Sequence, residues 1–130
     1  MKLKLIILKS KYAICRFDSD SDIPMWIKDS EFFSVTRTED ELSVVSRQSD
    51  SNPEITEINK DWRILKIQGP LDFSLVGIIA EISRILKEIN ITIFTISTFE
   101  TDYILVKNKD LDKAIDSLTA NGHEILINKP

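Results

Sequence analysis

The sequence predicts an α+β fold, an antiparallel sheet backed by helices and built as two tandem βαββαβ units, the first degenerate. Three observations predict it. From Trp62 onward, strand-like and helix-like periodicities follow one another in the order β-α-β-β-α-β. Phe33–Val45 (FSVTRTEDELSVV) aligns without gaps to Phe94–Val106 (FTISTFETDYILV), which marks an internal repeat. At 130 residues, 42% hydrophobic and 29% charged, the chain can bury one compact domain or two small subdomains sharing a sheet edge.

Leu3–Leu8 and Tyr12–Phe17 are apolar segments split by Lys9–Lys11, each short enough for a strand. Pro24–Lys28 suits about one helical turn, with Asp22 as its cap and Pro24 near its first position. Phe32–Thr38 and Glu41–Arg47 are β-rich and flank Glu39 and Asp40, so they read as a hairpin. Ser49–Lys60 is polar and contains Pro53, which suits a loop or a poor helix. Trp62–Gln68 alternates as a strand.

The next helix has the clearest period. Leu75, Ile78, Ile79, Ile82, Ile85, Leu86 and Ile89 recur at three- and four-residue steps and form one apolar stripe. Glu81, Arg84, Lys87 and Glu88 take the other face. Asp72 or Ser74 is expected to cap its start, and Asn90 to end it. Ile91–Thr98 and Tyr103–Lys107 are strands joined by the turn Phe99–Asp102. Asp110–Asn121 is a second amphipathic helix with Leu111, Ala114, Ile115 and Leu118 inward and Gly122 as its stop, and His123–Asn128 is the closing strand.

This order is the ferredoxin-like split βαβ arrangement. A right-handed crossover makes strands 62–68 and 91–98 parallel, with strand 103–107 between them. Their C-terminal ends share one edge, so the loop Gly69–Leu75 lies beside the turn Phe99–Asp102. The gapless repeat pairs Glu39 with Glu100 and Glu41 with Asp102, which favours duplication. Residues 1–61 are then a degenerate copy whose first helix is one turn and whose second is weak or absent; residues 62–130 are the complete copy.

Composition excludes several functions. A net charge of −4 argues against a nucleic-acid backbone as partner, and the aromatic-basic pattern of RNA-binding sheets is missing. The longest uncharged apolar run, Ile89–Phe99, is too short to span a membrane, and MKLKLIIL lacks the features of a signal peptide, so a cytoplasmic location is expected. The single Cys15 permits no internal disulfide and suits a buried strand position. Asp18-Ser-Asp-Ser-Asp opens like a calcium loop, but Ile23 replaces the turn glycine and Asp29 the twelfth-position glutamate. His123, with no cluster of metal-ligand residues around it, is expected to be exposed at a helix end; Trp26 and Trp62 are expected to pack. No phosphate cradle, nucleophile elbow or paired catalytic carboxylates occur, so no catalytic residues, metal or cofactor are assigned.

The edge of Asp72 and Asp102 is the candidate site. A helix N-terminus favours a ligand carboxylate, and Asp102 can pair with an ammonium, which together suit the backbone of an α-amino acid. Ser97, Thr98 and Thr101 add hydroxyls nearby. Asp72 equally suits capping alone, and Asp102 stabilisation of its turn.

Gly69-Pro70-Leu71 with Phe73, Gly77-Ile78, and Ser97-Thr98-Phe99-x-Thr101-Asp102-Tyr103-Ile104-Leu105-Val106 resemble the ACT-domain family, in particular small bacterial tandem-ACT proteins related to the vertebrate cytosolic arginine sensor. Phe32–Thr38 and Leu42–Val45 also fit. The resemblance implies two ACT units and amino-acid binding at an inter-ACT interface, with the site completed by a second copy in a homodimer. It implies that Asp102 contacts the ligand and that Asp72, Phe73, Ser74, Leu75 and Val76 form a loop around it. Leu75 stands where the sensor has an acidic residue, which argues against a guanidinium ligand and leaves the ligand open. A non-enzymatic regulatory module that signals to an unidentified effector protein is thus expected. The alternatives are an ACT-type dimerisation module without ligand and an acylphosphatase-like enzyme; the latter lacks an Arg or Lys at Gly69–Val76.

Overall fold

The computed structural model describes residues 1–49, 55, 57–68 and 76–127. In chain order its regular elements are β1 (Lys4–Ile7), β2 (Tyr12–Phe17), β3 (Ser34–Arg37), β4 (Leu42–Arg47), β5 (Ile58–Ile67), α1 (Ile78–Glu88), β6 (Ile93–Ser97), β7 (Asp102–Lys107), α2 (Leu111–Ala120) and β8 (Glu124–Ile127). Short 3-10 turns cover Met25–Asp29 and Asn108–Asp110. The chain forms two compact units, Met1–Lys9 with Trp62–Pro130, and Ser10–Asp61.

In the first unit β7 lies between β5 and β6 and is antiparallel to both, so β5 and β6 run parallel as the right-handed crossover requires. The opposite edge of β5 corrects one expectation. The expected boundary at residue 61 assigns Leu3–Leu8 to the N-terminal unit. Instead β1 enters the sheet between β5 and β8, antiparallel to β5 (Leu5 opposite Ile67) and parallel to β8 (Leu5 opposite Ile125). Its alternation sends Leu3, Leu5 and Ile7 into the core beneath both helices. An apolar alternation specifies a strand without specifying its partner.

That core joins Leu65, Ile67, Ile104 and Val106 of the sheet to Ile82, Ile85 and Leu86 of α1 and to Leu111, Ala114 and Leu118 of α2. Ile115 is only partly buried against it. Helix α1 starts later than expected. Its N-cap is Gly77 at φ +82°, without a side-chain cap bond; Asp72 and Ser74, the expected caps, lie outside the described residues.

Both helices end in the same left-handed motif. Asn90 at φ +63° lets Ile91 N–H reach Leu86 O at 3.0 Å and its own N–H reach Lys87 O at 3.0 Å. Gly122 at φ +92° does the same for His123 onto Leu118 O at 3.1 Å and for itself onto Thr119 O at 3.0 Å.

The second unit is smaller. β4 lies between β2 and β3, antiparallel to both. Ile27 of the 3-10 turn packs with Leu42 and Val44, and with the partly buried Phe17, Trp26 and Val35. The turn has Pro24 as its N-cap with no side-chain bond, so Asp22 is not the cap. Cys15 is buried on β2, and burial raises its thiol pKa.

The repeat is present, with a register one residue away from the gapless alignment. Thr38 N–H bonds Glu41 O at 2.9 Å, and Glu41 N–H bonds Thr38 Oγ1 at 3.1 Å. Thr98 N–H bonds Thr101 O at 2.8 Å, and Thr101 N–H bonds Thr98 Oγ1 at 3.3 Å. Thr38 therefore corresponds to Thr98, Arg37 to Ser97, Glu41 to Thr101 and Leu42 to Asp102. Strand pairing agrees: Tyr12 opposite Arg47 matches Trp62 opposite Lys107. Burial agrees as well, since Val44 and Ile104 are both fully buried on the helix-facing side. The pairing of Glu41 with Asp102 is therefore incorrect. One residue of slip exchanges the two sheet faces, and alternation alone looks equally good in either register.

Ile82→Ala is expected to lower unfolding stability by about 2–5 kcal/mol, because Ile82 is fully buried on the core face of α1. Urea denaturation should show Ile79→Ala, at a partly buried position, losing clearly less.

Candidate functional site

The edge at the C-terminal ends of β5 and β6 is built around one turn. Thr101, only 4% exposed, donates from Oγ1 to Ile67 O at 2.6 Å and so ties the turn to the end of β5. Thr98 Oγ1 reaches Thr101 O at 3.1 Å and closes the turn locally. Ser97 and Asp102 face each other across the hairpin, and the Ser97 hydroxyl donates to the Asp102 carboxylate. Strand alternation puts Asp102 on the sheet face of Ile104 and Val106, the face that α1 and α2 cover. The Asp102 side chain is half-buried, while Ser97 and Thr98 are exposed.

Helix α1 returns from this same edge, because it follows β5 and precedes the parallel β6. Among the described residues its first bond is Glu81 N–H to Gly77 O at 2.8 Å, and the N–H groups of residues 78–80 point back along the axis toward this edge. Val76, at the entry, is 83% exposed, and Phe99 at the hairpin tip is 84% exposed. Of the expected site residues, Ser97, Thr98, Thr101 and Asp102 thus meet on one turn and Val76 lies at the helix entry. Asp72, Phe73, Ser74 and Leu75 lie outside the described residues.

A second cluster was not anticipated. His123 is 3% exposed, against the expectation of an exposed ring. Its Nδ1 accepts Leu3 N–H at 3.0 Å, and its Nε2 lies 3.0 Å from Glu81 Oε2. Because Nδ1 accepts, the proton sits on Nε2 and is donated to Glu81. Glu81 also pairs with Arg84 at 3.1 Å, and Arg84 with Glu88 at 3.3 Å. The His123 hydrogen bond and then Arg84 hold the Glu81 carboxyl below its ordinary pKa of 4.5. Glu81 and Arg84, with Met1, Gly77 and Ala80, line an open cleft of about 350 Å³ at the start of α1. A signal was available in the sequence: the residue after a left-handed helix-ending glycine turns back onto the helix, and here that residue is His123.

Among the described residues no group of three or more His, Cys, Asp or Glu could hold a metal ion, and no helix is long and apolar enough to cross a membrane. The ACT domain model matches residues 57–120, which run from β5 to the end of α2. The chain belongs to the ACT-domain family. A further model, for an N-terminal domain, matches residues 10–53 in the other unit. The ACT chain is 33% identical over 94 residues to the cytosolic arginine sensor for mTORC1 subunit 1 of Mus musculus, covering 67% of this chain and 28% of that protein. It spans less than a third of the length of the curated relatives it matches. Among solved structures, an Agobacterium tumefaciens protein is 35% identical, with a TM-score of 0.92, covering 100% of this chain and 96% of that one. Aspartokinase alpha and beta subunits share the fold at a TM-score of 0.69 and 16% identity, covering 91% of this chain and 92% of that one.

Thr101→Val keeps the side-chain shape but leaves Ile67 O without its donor; a loss of about 1–2 kcal/mol is expected by chemical denaturation. His123→Ala removes the acceptor of Leu3 N–H and should lose about 1–3 kcal/mol. Glu81 has its pKa depressed on folding, so its contribution is complete above 4.5 and disappears as pH falls through the lower folded value. Denaturation midpoints measured from pH 7 to pH 3 should therefore fall less for Glu81→Gln than for the unaltered chain.

Proposed function

We propose that the chain is a non-enzymatic regulatory module that binds a small molecule, an amino acid, at the edge formed by the 69–77 loop and the turn Ser97–Asp102. One observation carries this reading: Asp102 is presented half-buried on a turn that Thr101 fixes to the end of β5, at the edge where α1 begins. A fixed carboxylate suits an ammonium, and a helix N-terminus at the same edge suits a carboxylate, on one small ligand. Asp72, Phe73, Ser74, Leu75 and Val76 would wrap the ligand, and Ser97, Thr98 and Thr101 would line its other side. A second copy of the chain would complete the site in a homodimer. The chain is thus two ACT-type units, residues 10–61 being the degenerate one. The relative named as an arginine sensor and the ACT match support amino-acid regulation in the cytoplasm.

A second reading, a dimerisation module without ligand, is favoured by the internal engagement of the site hydroxyls: Ser97 bonds Asp102, and Thr101 bonds Ile67. Thermal-shift measurement with each of the common amino acids separates the two. On the first reading one or a few amino acids raise the midpoint, by about 2.7 kcal/mol of stability at a hundredfold the Kd, and Asp102→Asn removes the shift while leaving the unliganded midpoint near its original value. No shift across the whole set would leave only the dimerisation module.

A further inference from the structure

The corrected repeat register allows the edge of the Ser10–Asp61 unit to be compared with the Ser97–Asp102 edge. Arg37 stands where the other unit has Ser97, and the fully buried Leu42 where it has Asp102. The loop after β2 is the counterpart of the loop after β5. Arg37 lays its guanidinium on that loop: Nη1 donates to Ser19 O, and Nη2 donates to Ser21 O at 2.7 Å. The loop is itself closed by Ser21 N–H on Asp18 O at 3.0 Å. Two carbonyls on alternate residues of a closed loop match the two parallel N–H vectors of a guanidinium, a fit that a lysine ammonium cannot reproduce. No carboxylate is needed: the two carbonyls accept the charge-assisted bonds, and the acidic run Asp18, Asp20 and Asp22 supplies a negative field.

We propose that this edge is a guanidinium-receiving site which the chain fills itself, with Arg37 as its resident occupant and an alkylguanidinium as the class of small molecule it would otherwise accept. Amino-acid exchange is then confined to the edge of the other unit, a corollary that rests on the proposed function; the self-filled site does not. The consequence for binding is an asymmetry: one exchangeable ligand for each chain, although the hairpin turn is present twice.

The test is chemical rescue of Arg37→Ala by methylguanidinium chloride, with methylammonium chloride at equal ionic strength as control. Arg37→Ala should lower the thermal midpoint by about 3–5 °C, since a charge-assisted pair of bonds on the surface is lost. Methylguanidinium should restore most of that loss with a saturating dose dependence and should shift the backbone amide resonances of residues 19–22. The unaltered chain should show neither effect, because its site is occupied. Equal recovery with methylammonium, absence of saturable amide shifts in the variant, or the same shifts in the unaltered chain would each overturn the proposal. If Arg37→Ala does not fold, Arg37→Lys keeps the charge without the fork. Methylguanidinium should then displace the lysine and shift the same amides, and failure to do so counts equally against the site. Isothermal titration of the unaltered chain with whichever amino acid stabilises it tests the corollary separately, through a stoichiometry of one for each chain.

Discussion

Leu65 and Ile67 on one face of β5, and Ile64 on the other, are fully shielded from solvent, while the strand is paired to β7 on one side and β1 on the other. A strand held on both faces and both edges has a single allowed register, because a shift of one residue would drive each of these side chains to the wrong face. The candidate edge is measured from that strand. Thr101 bonds its last carbonyl, Gln68 N–H bonds Lys4 O at 2.8 Å, and Leu8 N–H bonds Ile64 O at 3.0 Å. The hairpin turn, the start of β1 and the departure of the chain toward α1 are therefore positioned against the least deformable element of the unit.

The element sequence of this unit was legible because each element has a period that burial enforces. The stripe from Ile78 to Ile89 is helical since those residues meet Leu65, Ile67 and Ile104, and the split βαβ order follows from handedness. What was not legible concerns partners and offsets. The pattern of Leu3–Ile7 is the same whether β1 lies beside β2 or beside β5, so its place in the C-terminal unit could not be read from it. The repeat alignment matched polar tips and alternation, yet a hairpin slipped by one residue still alternates. Hydrogen bonding at Thr38 and Thr98 decides the register, and hydrogen bonds leave no periodic trace in sequence.

The same distinction explains the site. The place of Asp102 at a hairpin turn was legible because a polar turn between two apolar strands is a local pattern. The burial of His123 is not legible because its environment is assembled from three distant segments: Leu3 just before β1, Glu81 on α1 and the end of α2. A buried ring that accepts with one nitrogen and donates with the other satisfies two groups at once, and it links the first residues of the chain to its last helix. Helix α1 is thereby held from two directions, by apolar packing below and by the Glu81 carboxylate at its flank.

The two copies also differ in spacing. Tyr12 and Trp62 are fifty positions apart, whereas Arg47 and Lys107 are sixty apart, so the second copy carries ten more residues between its first strand and its hairpin. Helix α1 has 11 residues and the 3-10 turn at Met25–Asp29 has 5, so the longer helix accounts for six of those ten residues. Insertion or deletion of a block of that size at one crossover changes the layer behind the sheet and leaves every strand pair in register. Between the two copies in this chain the crossover differs in length, while the hairpin keeps both its strand register and its turn bonds.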